Sequence, residues 1–220
     1  RKDIGPFSAL WHVAPKGWSQ MPGHGHQDTG SFELHCNEDR IFIDPGRGHY
    51  GEIGDAALYR SAAVHNTLIV DGVDPYPPNK PYYCDKFRRT YGGPFPRVEV
   101  SNNNLKLTHY GYERLEGVKQ VTRNWKFTKN SIEIIDMVNG EGKHRIDRIL
   151  ITPLRVEHND DKISLHSAKS VYLLITDFDP KITVIPIWQS YGSSFMGSAI
   201  IFSRRESLPW TGKLRLKSIQ

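Results

Sequence analysis

Three separated islands hold side chains that bind metal ions or move protons: His24-Gly25-His26-Gln27-Asp28, Ile43-Asp44-Pro45-Gly46 and Val64-His65-Asn66-Thr67. Two histidines and a carboxylate, His26, Asp44 and His65, form a donor set that zinc and its neighbours prefer. His24 and Tyr50 are placed to act beside such an ion. Three protein ligands leave a position for water or a sugar oxygen, although the same ion could be purely structural. Singly, each island has a plainer explanation. The Gly-His-Gly-His run could be a solvated loop, Asp44 a turn cap before Pro45-Gly46, and His65 a core histidine bonded to backbone. The order and separation of the three are what point to a shared site.

Each island adjoins a stretch that reads as β-strand. On such a strand His24 and His26 would face the same side, with Gly23 and Gly25 letting a ligand or another backbone approach. Ser31–Cys36 alternates, Asn37-Glu38-Asp39 turns, and Arg40–Asp44 answers as a hairpin partner. Thr67–Val70 is a short apolar run closed by Asp71-Gly72. Further strands are expected over Arg97–Val100, Leu105–Tyr110, Lys119–Phe127, Ser131–Met137 and Arg148–Ile151. Later ones are expected over Lys162–His166, Val171–Thr176, Ile182–Ile187 and Ser198–Ser203. Lys129-Asn130 and Asn139-Gly140 have turn chemistry. Only Gly54–Ser61 suggests a short helix. Many short strands separated by turns predict an all-β fold, an antiparallel multi-sheet β-sandwich. Asp74–Pro81, with four prolines, reads as an irregular surface loop close enough to His65 to wall a cleft.

Composition sets the outer bounds. The 220 residues suffice for one large β domain or two small ones, and a mean hydropathy of -0.52 describes a polar, soluble globule. No apolar run reaches the length of a bilayer span, and the residues after Arg1 lack the apolar segment of a cleavable signal. The abrupt opening suggests a domain of a longer polypeptide, so missing targeting signals say little about compartment. Cys36 and Cys84 form no metal-type pair and read as two buried thiols. A net charge of +5 favours polyanionic partners, but no Lys/Arg block marks a nucleic-acid arm. An acidic polysaccharide suits this diffuse charge equally well. Trp11, Trp18, Trp125, Trp188 and Trp210 read as core or sheet-edge aromatics, and Tyr82-Tyr83 is the better sugar platform. His109, His144, His158 and His166 show no partner pattern.

The run from Gly23 to Leu34, then Ile43-Asp44-Pro45-Gly46, Tyr50-Gly51 and Tyr59 to Gly72, resembles the C-terminal β-sandwich domain of heparinase II/III-like polysaccharide lyases, alginate lyases among them. Val121-Thr122-Arg123 and Ile135–Gly140 are similar but weaker. The resemblance is strongest over residues 20 to 72. It implies that residues 1–220 are that domain, in a longer chain whose N-terminal α/α toroid supplies the main catalytic tyrosine and a histidine. It implies metal ligands at His26, Asp44 and His65, usually for zinc that holds the site's shape. His24 then matches a histidine that helps neutralise a uronate carboxylate, and Tyr50 a tyrosine lining the cleft, with Tyr59 as its competitor. Gln27 and Thr29 stand where smaller or apolar residues are expected.

The implied activity is β-elimination on a uronic-acid polymer in the periplasm or outside a bacterial cell. Such a site must neutralise the uronate carboxylate, provide a base and protonate the departing O4. A tyrosine beside a cation can be brought toward useful basicity. Arg47 and Arg60 are candidates for the sugar acid's charge, against the plainer reading of surface arginines. Two other functions remain open: a non-catalytic carbohydrate-binding or structural module, and a cupin-like metalloenzyme. The cupin pattern wants a glutamate soon after the histidine pair, a role only Glu33 could fill, and leaves Asp-Pro-Gly unexplained.

Overall fold

The computed structural model describes residues 1–14, 25–77, 85–159, 162–176 and 178–219. His24, Trp18, Tyr82, Tyr83 and Cys84 lie outside the described residues. Among the described residues strands dominate and every strand pairing is antiparallel, in three sheets. The first sheet is β1 (Lys2–Ile4), β2 (Phe7–His12), β3 (Ser31–Cys36) and β4 (Asp39–Phe42), in that order. The second runs β14 (Pro180–Ser190), β15 (Ser193–Ser207), β10 (Lys143–Thr152) and β5 (Leu68–Val70).

The third and largest sheet has eight strands. It runs β11 (Arg155–Asn159), β12 (Lys162–His166), β13 (Val171–Thr176), β16 (Trp210–Ile219), β9 (Ser131–Gly140), β8 (Val118–Phe127), β7 (Asn104–His109) and β6 (Arg97–Ser101). Among the described residues helix is confined to α1 (Gly54–Leu58), α2 (Asp85–Tyr91) and a 3-10 turn at Ala62–Val64. No described helix is long and apolar enough to cross a membrane.

The layers are held by inward stripes. Phe7, Phe32 and Leu34 of the first sheet meet Trp125, Ile132, Ile134, Leu214 and Leu216 of the large sheet and Ile146, Leu150, Ile200 and Phe202 of the second. Each such side chain contributes about 1.5–3 kcal/mol by leaving water. Strand β10 is covered on both faces: Ile146 and Leu150 face this core, while Ile149 and Ile151 join Ile43, Ile69 and Ile187 in a second cluster. That explains the consecutive apolar residues Ile149, Leu150 and Ile151, which alternation alone reads poorly. Cys36 is a buried free thiol. Trp125 and Trp210 are core residues and Trp11 packs against the same cluster.

Several elements depart from the sequence expectation. β1, β2, β11, β16 and helix α2 were not expected, although β16 alternates cleanly, with Leu214 and Leu216 inward between exposed Lys213, Arg215 and Lys217. The turn expected at Asn139-Gly140 falls at Glu141-Gly142, because Gly140 still belongs to β9 and β10 begins at Lys143. The described part of the proline-rich loop is not superficial. Tyr76 is fully buried, and the Arg114 guanidinium donates to the Pro75 carbonyl at 2.6 Å and also to that of Asp74.

His109 is fully buried between Tyr76 and Tyr112, with its Nδ1 facing the Gly111 amide at 3.4 Å. Burial, reinforced by the charge of Arg123, holds the imidazole neutral and pushes its pKa down to about 3. The unfolded chain takes up a proton at this side chain below about pH 6.5, whereas the folded one does not. Stability is therefore complete above that pH and falls by about 1.4 kcal/mol per pH unit on the way down toward pH 3. Replacing His109 with Gln should remove one such increment from the slope of unfolding free energy between pH 6 and pH 4. Identical slopes in urea titrations of the two proteins would contradict this.

Candidate functional site: a two-histidine, two-carboxylate centre where two sheets meet

The three islands enter the structure as loops bordering strands, and one buried side chain ties them together. Asn66, with no exposed surface, donates through its amide to the carbonyls of Phe32 (2.7 Å) and Ile43 (3.0 Å) and accepts from the Ile151 amide (2.6 Å). It thus links β3, the segment leading into Asp44, and β10. The Thr67 hydroxyl donates to the Thr29 carbonyl at 2.8 Å, fixing the loop that holds His26 and Asp28. From the large sheet Arg123 donates through one Nη to the carbonyls of both Gly30 (2.9 Å) and Asn66 (2.7 Å).

Arg123 is itself held by Asp136, which also accepts from Arg148, each Nε lying 2.7 Å from a carboxylate oxygen. All three are buried. Burial alone would raise the Asp136 carboxyl, but the two guanidinium groups outweigh it and keep the group below the usual range. This network reaches the histidine islands from the opposite layer.

The ligand geometry follows from that frame. His65 is fully buried, and its Nδ1 donates to the Ser61 carbonyl at 2.7 Å, which leaves the Nε2 lone pair facing the site. His26 Nδ1 lies 3.2 Å from that Nε2, and Asp44 Oδ2 lies 3.5 Å from it. Ligand bonds of about 2.1 Å in a tetrahedral arrangement put donor atoms ~3.4 Å apart, so both spacings suit one shared ion. Burial and then the neighbouring His65 bring the His26 pKa down to about 4, keeping its ring neutral and its lone pair available. The other Asp44 oxygen accepts from the Gly46 amide at 2.8 Å. Capping the turn thus uses one Asp44 oxygen and leaves the other facing His65.

Asp28 also comes to this place. Among the described residues His26, Asp28 and His65 offer ligand atoms that all lie within 4.8 Å of one another. The Asp28 carboxylate is paired with His12 from the end of β2.

The loop after Asp44 is seated on Trp188. Pro45 accepts from the Trp188 amide at 2.7 Å, and Gly46 has a φ of +65°. A Cβ at Gly48 would sit 2.5 Å from the indole, so only glycine fits there. Tyr50 emerges from this loop 61% exposed, with the Arg47 guanidinium 4.6 Å from its ring centre and the equally open Tyr191 stacked on it at 6.3 Å. Tyr59, its competitor, is buried, and its hydroxyl donates to the Pro186 carbonyl at 2.6 Å. Burial pushes that phenol's pKa up. Tyr50, not Tyr59, is the accessible phenol.

Arg47 donates to the carbonyls of His49 (2.9 Å) and Gly51 (3.2 Å), shaping the Tyr50 loop. Arg60 donates to the Gly25 carbonyl at 3.2 Å and to Glu52 at 3.0 Å, and so braces the segment that follows His24. The departures at Gln27 and Thr29 serve the frame: the Gln27 side chain accepts from the Tyr76 amide at 3.3 Å, and the Thr29 carbonyl receives Thr67.

Sequence reasoning missed Asp28 as a member of the cluster, along with Asn66 and the Arg123–Asp136–Arg148 network. A signal existed for the network. Arg123 interrupts the inward stripe Val121, Trp125, Phe127, and Asp136 interrupts Ile132, Ile134, Val138, directly opposite it in register. Opposite charges at facing inward positions mark a buried pair.

A family model described as Heparinase II/III-like, C-terminal, matches residues 2–191. A search of curated protein sequences finds no match. Among solved structures the fold is similar to that of heparan sulfate lyase HepC from Pedobacter heparinus, with a TM-score of 0.69 at 16% identity over 96% of this chain and 33% of that one. It is also similar to the heparinase III-BT4657 gene product, with a TM-score of 0.70 at 16% identity over 96% of this chain and 32% of that one. At such identities the likeness is one of fold, and the chain spans about a third of the length of those proteins. The family match covers every residue of the cluster: this chain belongs to the heparinase II/III-like C-terminal domain family.

Proposed function

We propose that this chain is the metal-bearing β-sandwich domain of a polysaccharide lyase that cleaves a uronate-containing polymer by β-elimination. The observation behind this reading is that His26 Nδ1 and Asp44 Oδ2, from two remote segments, lie 3.2 and 3.5 Å from His65 Nε2, each a spacing that neighbouring ligands of one ion would have. A zinc ion bound there would supply fixed positive charge and hold the three segments in place.

The chain's own residues supply the rest. In the elimination the proton leaves C5, the C4–O4 bond breaks, a C4–C5 double bond forms, and O4 departs with a proton. Tyr50, exposed at the rim beside Arg47, is suited to exchange a proton with the sugar. Arg47 and Arg60 bring positive charge for the uronate carboxylate, Arg60 already sharing its own with Glu52. His24, adjoining Gly25 and His26, is assigned to the same carboxylate. The net charge of +5 favours a polyanionic substrate in general.

The resemblance adds a toroid domain of the same polypeptide, which would bring the remaining tyrosine and histidine. It also suggests a periplasmic or secreted bacterial setting. The test is to mix the full-length protein with alginate, heparan sulfate or hyaluronan and follow near-ultraviolet absorbance from the unsaturated uronate. Growth of that absorbance with one polymer is expected. Retardation on an affinity gel without absorbance from any of them would replace the lyase with a carbohydrate-binding module.

A further inference from the structure

We infer that Asp28 is a fourth ligand of the proposed ion and that His12 holds it in place, so that the centre is a closed, structural one. This rests on the metal reading above and assigns a role to two residues outside its ligand set. Three observations lead to it. The Asp28 carboxylate lies within 4.8 Å of the ligand nitrogens of both His26 and His65, a compactness that the Asp44 group does not share. Its side chain is only 12% exposed, so it faces inward to the cluster. Its side chain pairs with His12, which reaches it from the end of a strand and leaves a carboxylate lone pair for the ion.

Charge favours the same arrangement. Two neutral imidazoles and Asp44 around a divalent cation leave one positive charge in a setting where His65 is fully buried. A second carboxylate brings the centre to neutrality, which a poorly solvated site strongly favours. Four protein ligands mark zinc sites that hold structure, whereas sites that activate water keep one position open. His12 stands to Asp28 as Ser61 stands to His65: each outer group orients a ligand through its second polar atom.

Cobalt(II) titration of the metal-free full-length protein, read by visible absorption and by chelator competition, tests the assignment. The wild type should bind one equivalent with the strong absorption of four-coordinate cobalt. Asp28→Asn should weaken binding about 100-fold or more and weaken or shift that absorption. His12→Gln should weaken it by a smaller factor, about tenfold, with the spectrum kept. Wild-type affinity and spectrum in Asp28→Asn would overturn the inference and leave the three-ligand site standing. Failure of the wild type to bind cobalt would instead sink the metal reading itself. If Asp28→Asn does not fold, a crystal structure of the zinc-loaded wild type decides: an Asp28 oxygen bonded to zinc supports the inference, and a water in its place overturns it.

Discussion

Replacing Arg123 with methionine should cost about 3–5 kcal/mol of folding stability, the usual consequence of removing one partner from a buried ion pair. The side chain is 1% exposed and donates to Asp136 and to the carbonyls of Gly30 and Asn66. Its loss leaves two buried carbonyls without this donor and Asp136 with a single counter-charge. Those carbonyls belong to the loops of His26 and His65, so the damage should fall on the proposed centre as well as on the core. Replacing Arg123, Asp136 and Arg148 together with apolar residues of similar volume should recover part of the loss, because no uncompensated charge then remains. Urea denaturation measures all of this. A cost below about 1 kcal/mol for the single change would show that the network does not hold the layers together.

If the proposed function holds, Tyr50→Phe should lower turnover of the full-length protein by about 10²–10⁴-fold while polymer binding persists, the range expected when a positioned proton-transfer group is removed. The side chain is largely exposed, so losing its hydroxyl changes little buried surface and the fold should be little affected. Tyr59→Phe is the complementary control. It removes a buried hydrogen bond to the Pro186 carbonyl and should cost about 1 kcal/mol of stability, with little effect on turnover. Undiminished activity in Tyr50→Phe would remove the catalytic role proposed for it.

The legibility of the fold followed the exposure of each strand. Ser31–Cys36 and Lys162–His166 alternate, Val171–Thr176 is a short apolar run, all three are bounded by turn residues, and their limits were correct to the residue. Strand β10 runs from Lys143 to Thr152, but only Arg148–Ile151 was expected, because an element covered on both faces has no alternation to read. β16 had the pattern and was overlooked. For the site, the spacing of His26, Asp44 and His65 was enough to propose a centre. Asp28 was hidden because a carboxylate two residues past a histidine gives no hint of facing inward until His12, on a separate strand, is seen to hold it. Asn66 was equally hidden, since its three partners come from three distant segments.

Zinc titration of the metal-free protein, alongside His65→Ala, is the most direct test of the central claim. The wild type should take up one equivalent and melt at a higher temperature when loaded. His65→Ala should lose that uptake and the stabilisation with it. Stoichiometric zinc retained by His65→Ala, or no uptake by the wild type, would contradict the convergence of these side chains on a shared ion.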